Sequence, residues 1–203
     1  MIKLTRPTCP NPAALAAGDY KHPVNKAALV TASHQKCMYC ESKVTHVDFG
    51  DVEHIKPKAP GKFPELAFEW TNLGFVCGRC NNAKSDKYFQ EAPFVDPYAE
   101  NPDDHLFAVG SFLAQRNGSV RGEITIQEIV LNRPDLLEKR NERIKEILVA
   151  LNAAYRTTVN VLRTAALAEL KREAEADKEY SLIVKTLLTA HERSKLLTAA
   201  TRP

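Results

Sequence analysis

No apolar run in the sequence approaches the roughly 20 residues that a membrane-spanning helix needs. The opening MIKLTRPTCPNPAALAAGD has no sustained apolar stretch of the kind a secretory leader carries. A dominant charge is missing too: 28 Lys and Arg against 25 Asp and Glu leave +3, too mild to identify a nucleic-acid binder by charge alone. There is no internal repeat and no low-complexity tract. Cysteine is sparse and odd in number, five in 203 residues, and the chain is far larger than a disulfide-stapled miniprotein. These absences point to a soluble, cytoplasmic protein with reduced thiols, no membrane association, and metal binding rather than disulfides. With 44% hydrophobic residues, a chain of this size buries roughly 70% of its unfolded surface. One compact body, or a small domain with a helical appendage, is expected.

Four stretches are distinguishable. Residues 1–36 carry several prolines and a short helix-like run from Ala27 to Ser33, a lead-in expected to pack on the core without contributing chemistry. Residues 37–90 are dense in Cys, His, Asn, Gly and Lys, with short apolar alternations, and are the place for a site. Residues 91–132 hold the turn-rich FVDPY, NPDD and RNGS around LFAVGSFL, a loop-and-strand extension. In residues 133–203, Leu137, Ile144, Leu148, Leu151, Tyr155, Leu162, Ala166 and Leu170 draw one apolar stripe after Pro134, a residue suited to a first helical turn. A second stripe, Tyr180, Ile183, Val184, Leu187, Leu188 and His191, follows the charged AEADKE, which predicts a long helical hairpin.

Cys37 and Cys40 form one CxxC and Cys77 and Cys80 another, 36 residues apart. Each CxxC turn aims two thiolates at one ion, and two turns complete the closed tetrahedral sphere of a structural Zn²⁺. The competing reading is a redox pair or buried free thiols. Cys9, before a proline, reads as an unpaired structural thiol.

Between and after these pairs stand DVEHIKPK (Asp51–Lys58), WTNLGFVC (Trp70–Cys77) and CNNAKSDK (Cys80–Lys87). Phosphodiester cleavage needs a base for water, a hard cation for the charge on phosphorus, and help for the leaving oxygen. His54 suits the base, because imidazole titrates near neutrality. Glu53 and the amide oxygen of Asn81 are hard ligands suited to Mg²⁺ or Mn²⁺, ions that keep several waters. Lys56, Lys58 and Lys62 on one side of the knuckle, with Arg79, Lys84 and Lys87 on the other, form a candidate phosphate track. Asp51 reads as a solvated strand charge, as a residue that orients the site or as a contact for a second ion. Trp70 is expected to pack under the hairpin.

These three motifs resemble those of HNH endonucleases, including the nuclease domain of RNA-guided CRISPR effectors. The resemblance implies an α+β fold built on a ββα-metal core: a strand near Val52–Lys56, a second near Gly74–Val76 and a helix from about Asn81, clamped by the zinc knuckle. It makes His54 the general base, Glu53 and Asn81 the ligands of the catalytic ion, Asn72 the residue that fixes the intervening loop and orients the histidine, and Lys84 a phosphate contact. Two departures stand out: Glu53 replaces the Asp or His of many members, and Asn81 replaces a second histidine. Bland readings remain beside these, a helix N-cap for Asn81 and an Asx-turn for Asn72.

FVDPY, NPDDHL and ITIQEIVLNRPDLLEKR further resemble the segment after the motif in the HNH nuclease subunit of Septu-type and retron-associated anti-phage systems. That implies a DNA endonuclease, with RNA as a second substrate class, restrained by an ABC- or SMC-like ATPase that docks on the helical tail. Two other uses of the tail are closing the protein's own core and forming a homodimer. The alternative function is a noncatalytic zinc-knuckle module that binds nucleic acid or protein.

Overall fold

The computed structural model describes residues 1–44 and 49–200, with side chains to Ser194. The last three residues of the expected helical region and residues 45–48 of the core lie outside them. The order is α1 (Pro12–Ala16), α2 (Pro23–Ala32), β1 (Asp51–His54), β2 (Leu73–Val76), α3 (Gly78–Lys84), β3 (Leu106–Val109), β4 (Phe112–Gln115), α4 (Val120–Glu128), α5 (Pro134–Arg156), α6 (Asn160–Arg172) and α7 (Ser181–Ala200). The fold is α+β, with a ββα unit at its centre and a helical C-terminal part.

β1 and β2 are antiparallel, with Asp51 opposite Val76 and His54 opposite Leu73. Val52 and all four residues of β2 are buried, which seats this small hairpin inside the main core. Gly74 is required there by space: a Cβ on it would stand 2.3 Å from Met38 Sδ, in the first CxxC turn. The Met38 amide donates to the Phe75 carbonyl at 3.0 Å, so that turn lies along β2.

Met1 and Leu4 are buried, and the side chain of the fully buried Asn25 accepts from the Asn11 amide and donates to the Asn11 carbonyl, both at 2.9 Å. The Met1 ammonium donates to Glu41 at 2.6 Å, and the same carboxylate accepts from the Ser181 hydroxyl at 2.6 Å. One buried acid therefore joins the lead-in, the first CxxC turn and the start of α7.

Several element boundaries differ from expectation. β1 ends at His54 rather than Lys56, because the Asn72 side chain takes the Lys56 backbone out of the ladder. α3 starts at Gly78 rather than near Asn81, because Cys77 caps it, its Sγ accepting from the Cys80 amide. Residues 91–132 contain the β3–β4 hairpin and α4, which Ser119 caps. The single stripe after Pro134 divides into α5 and α6 at residues 157–159, where Thr157 and Val159 take extended backbone. In α5 the buried positions are Leu136, Arg140, Ile147, Leu151 and Ala154, while Leu148 and, in α6, Leu162 are exposed. Arg140 is buried because its guanidinium donates to the Leu131 and Ser111 carbonyls at 2.8 and 3.2 Å. α5, α6 and α7 share a second, smaller core around Ile147, Leu151, Leu170 and Val184.

The extension is held by Glu100. Its carboxylate pairs with the Arg121 guanidinium through two hydrogen bonds and accepts from His105 Nε2 at 2.9 Å, while His105 Nδ1 accepts from the Ser119 hydroxyl at 2.8 Å. Burial raises the Glu100 pKa, but Arg121, the Asp96 amide that donates to the same carboxylate, and His105 more than offset this and leave it below the ordinary 4.5. A depressed carboxylate gives stability that is present above its unfolded value and lost as pH falls through the folded one. The urea midpoint of Glu100→Gln should therefore lie below wild type at about pH 7, and the gap should close as the pH is lowered below about 4. A gap independent of pH would show that the carboxylate charge is not what holds the segment.

Candidate active site

The four cysteines meet in space. Cys37 and Cys40 flank the first turn, Cys77 follows β2 and Cys80 lies in the first turn of α3; all four Sγ atoms lie within 4.8 Å of one another. The Cys40 to Cys77 Sγ separation is 3.8 Å, which matches the edge of a tetrahedron with Zn–S bonds of about 2.3 Å. The thiols are not joined as disulfides. The Cys80 amide and Arg133 Nη1 each donate to a cysteine sulfur at 3.5 Å, the outer hydrogen bonding that thiolate ligands need. Residues and geometry both fit a structural divalent ion with no open position. Among the described residues this is the one group of three or more His, Cys, Asp or Glu close enough to hold a metal.

Beside the knuckle lies a cavity of about 460 Å³ lined by Glu53, His54 and Asn81, together with Tyr20, Lys21 and Lys58. β1 carries Glu53 and His54, and α3 carries Asn81. His54 Nε2 lies 2.9 Å from the Ala67 carbonyl. A carbonyl only accepts, so in the neutral ring Nε2 holds the proton and Nδ1 keeps its lone pair. Burial depresses the His54 pKa below 6.5, and the charges of Lys58, Lys84 and Lys21 push the same way against the Ala67 contact. The Tyr20 ring meets the imidazole edge-on at 4.6 Å.

Asn81 is not the N-cap of α3; it lies inside the helix, and its Nδ2 donates to Asp51 Oδ2 at 3.1 Å. Because a carboxylate accepts, this orients the amide with Oδ1 away from Asp51. Asn72 bridges the ends of the connection between the strands: its Oδ1 accepts from Lys56 N at 2.8 Å, and its Nδ2 donates to the Lys56 and Leu66 carbonyls at 2.9 and 3.1 Å. Trp70 packs at the edge of the core and donates to the Pro7 carbonyl at 2.7 Å.

Lys84 departs from its expected place. Its ammonium is fully buried, 2.5 Å from Glu53 and 2.9 Å from the His54 carbonyl it donates to. It holds the carboxylate and the strand from behind and does not present itself to a phosphate. Burial still raises the Glu53 pKa, with Lys84 lowering it and Asp51 adding to the rise. Arg79 and Lys87 are paired with Asp135 and Glu128 at 2.7 and 2.9 Å. The side of the site with unpaired lysines is therefore that of Lys58, joined by Lys21. Tyr20 and Lys21 were missed by sequence reasoning, because a Tyr-Lys pair in a polar turn carries no local pattern that sets it apart.

Zinc ligation contributes folding free energy directly. Cys77→Ala should lower the bound zinc and abolish cooperative unfolding at the wild-type temperature, read by metal analysis and thermal circular dichroism. Wild-type melting after complete zinc loss would show that the ion does not hold the hairpin.

Comparison with known proteins gives this geometry a family. Residues 37–87 match the family model described as HNH endonuclease. The chain is 27% identical over 186 residues to a Septu protein PtuB of Bacillus thuringiensis, covering 84% of this chain and 70% of that one. It is 28% identical over 158 residues to a Septu protein PtuB of Bacillus mycoides (strain KBAB4), covering 63% of this chain and 53% of that one, so it spans about half the length of the second relative. A matched motif, a ββα unit and a four-cysteine knuckle coincide in one stretch: residues 37–87 match the HNH endonuclease family, and the chain as a whole is similar to the Septu PtuB proteins.

Proposed function

We propose that this chain is a metal-dependent endonuclease that hydrolyses phosphodiester bonds of DNA, with His54 as general base. The observation that carries the reading is the convergence of His54, Glu53 and Asn81 on one cavity, with the imidazole proton tied to Ala67. In this reading Nδ1 takes the proton of the attacking water. Burial keeps the ring neutral near pH 7, the state a base must start from. Asn72 holds the connection that presents the Ala67 carbonyl, through its bonds to Lys56 and Leu66.

Glu53 and Asn81 Oδ1 are the proposed protein ligands of the catalytic ion. One carboxylate and one amide oxygen suit a Mg²⁺ or Mn²⁺ that keeps several waters and binds partly through the substrate phosphate. Bound there, such an ion supplies neutralisation of the charge developing on phosphorus. Lys84 holds Glu53 in place from the interior, and Asp51 holds the Asn81 amide in the orientation that leaves Oδ1 available.

The likeness to Septu proteins supports a role as the nuclease of a bacterial anti-phage system in the cytoplasm, acting with an ATPase partner of the ABC or SMC-like type. No helix of the described residues is long and apolar enough to cross a membrane. The ATPase is proposed to dock on α5–α7.

Supercoiled plasmid should be nicked in Mg²⁺ or Mn²⁺ by the protein, alone or with its co-purified ATPase. His54→Ala should lose at least about 100-fold in rate, the low end of the contribution of a general base, with zinc content and circular dichroism unchanged. Wild-type nicking by His54→Ala would remove the histidine from the chemistry. A protein that binds DNA with its partner present and never cuts would favour the noncatalytic module.

A further inference from the structure

We propose that Tyr20, Lys21 and Lys58 form a clamp for a backbone phosphate next to the bond being cut, in which the segment before the HNH-matching residues supplies Tyr20 and Lys21 and those residues supply Lys58. The proposal rests on the nuclease reading of the cavity and names the residues that would hold its substrate. Tyr20 and Lys21 sit between α1 and α2, outside the matched residues 37–87, yet both line the cavity that holds His54, Glu53 and Asn81.

The Tyr20 ring is shared by the two sides of that cavity. Its edge contact with the His54 ring is at 4.6 Å, the Lys58 ammonium lies 3.8 Å from its centroid, and that of Lys21 lies at 5.8 Å. An ammonium held at an aromatic face is fixed without losing its charge, unlike one paired with a carboxylate. Neither Lys21 nor Lys58 has an ion-pair partner among the described residues, whereas Lys84, Arg79 and Lys87 each have one. The cavity thus offers two cations with no ion-pair partner among the described residues, held on a pre-ordered ring, beside a base and the carboxylates of Glu53 and Asp86.

A nucleic-acid strand presents the complementary chemistry. The scissile phosphate is served by the catalytic ion, and a neighbouring phosphate needs a separate positive partner to fix the strand. Lysine–phosphate contacts do this without reading bases. Binding through the clamp is therefore independent of sequence and weakens with salt. The ring, not the phenol hydroxyl, does the holding, so Phe is expected to replace Tyr20.

The test measures binding in protein that cannot cut. His54→Ala protein is titrated into a fluorescent DNA duplex and a matching single strand across a salt series. Lys21→Ala and Lys58→Ala should each reduce the slope of log Kobs against log salt by about one, and the double variant by about two. Tyr20→Ala should weaken binding much as Lys58→Ala does, and Tyr20→Phe should restore it, with zinc content and circular dichroism confirming the fold. Lys139→Ala makes the same charge change on α5 and should leave the slope alone.

In otherwise wild-type protein, Lys58→Ala should raise KM more than it lowers kcat. The clamp is overturned by an unchanged slope in the double variant, by an equal loss in Lys139→Ala, or by no binding of either DNA form. Nicking with an unchanged slope removes the clamp and leaves the nuclease. A reduced slope in a protein that never cuts removes the nuclease and leaves the clamp.

Discussion

Four sulfur atoms within 4.8 Å are the constraint on which the rest of the site depends. They come from two turns far apart in sequence, and their approach carries structure with it. Cys77 directly follows β2 and caps α3, so the knuckle sets the angle between strand and helix. That angle decides whether Asn81 on α3 faces the same cavity as Glu53 and His54 on β1. Gathering four buried thiolates without a cation is opposed by their mutual repulsion. A divalent ion held by the four sulfurs would remove that repulsion and favour the ββα geometry.

Inside that frame the polar residues orient one another. Each bond at the site has a partner that can only accept or only donate, and this removes ambiguity from groups that could otherwise turn. The Ala67 carbonyl fixes which imidazole nitrogen is protonated, Asp51 fixes the Asn81 amide, and Lys84 fixes Glu53. The buried Lys84 also limits the cost of burying Glu53. An unpaired carboxylate at that depth would be protonated instead.

The part of this that was legible in the sequence is the part with fixed spacing. Two CxxC pairs predict a knuckle, and the resemblance carried by the EHIKP, WTN and CNNAK segments implies two strands and a helix; these elements are present. What was not legible depended on side chains reaching across the chain. Asn72 shortens β1 by capturing the Lys56 backbone, and Cys77 starts α3 early through its sulfur. Lys84 reads as a phosphate contact because burial of a lysine is invisible until its carboxylate is placed beside it. The long C-terminal stripe reads as continuous because apolar spacing alone does not register the extended backbone at Thr157 and Val159. Tyr20 was hidden for the opposite reason, since nothing local distinguishes it and only tertiary packing brings it to His54.

The C-terminal helices are tied to the knuckle rather than merely attached to the chain. Arg133, just before α5, donates to Cys80; Tyr180, just before α7, hydrogen-bonds Ser42 at 3.0 Å; and Ser181 donates to Glu41. All three contacts end on or next to the cysteine turns. The second core, around Ile147, Leu151, Leu170 and Val184, lets the helices hold their own arrangement. A helical unit with its own core, fastened beside the four-cysteine knuckle, is placed so that a change in its packing reaches the residues that set the strand-to-helix angle. Energetic coupling of this kind needs a continuous set of packed and hydrogen-bonded groups. The path from α7 through Glu41 and Cys40 to Cys77 supplies one, and the lead-in joins it at Met1, so the segments on both sides of the HNH domain bear on the same few atoms.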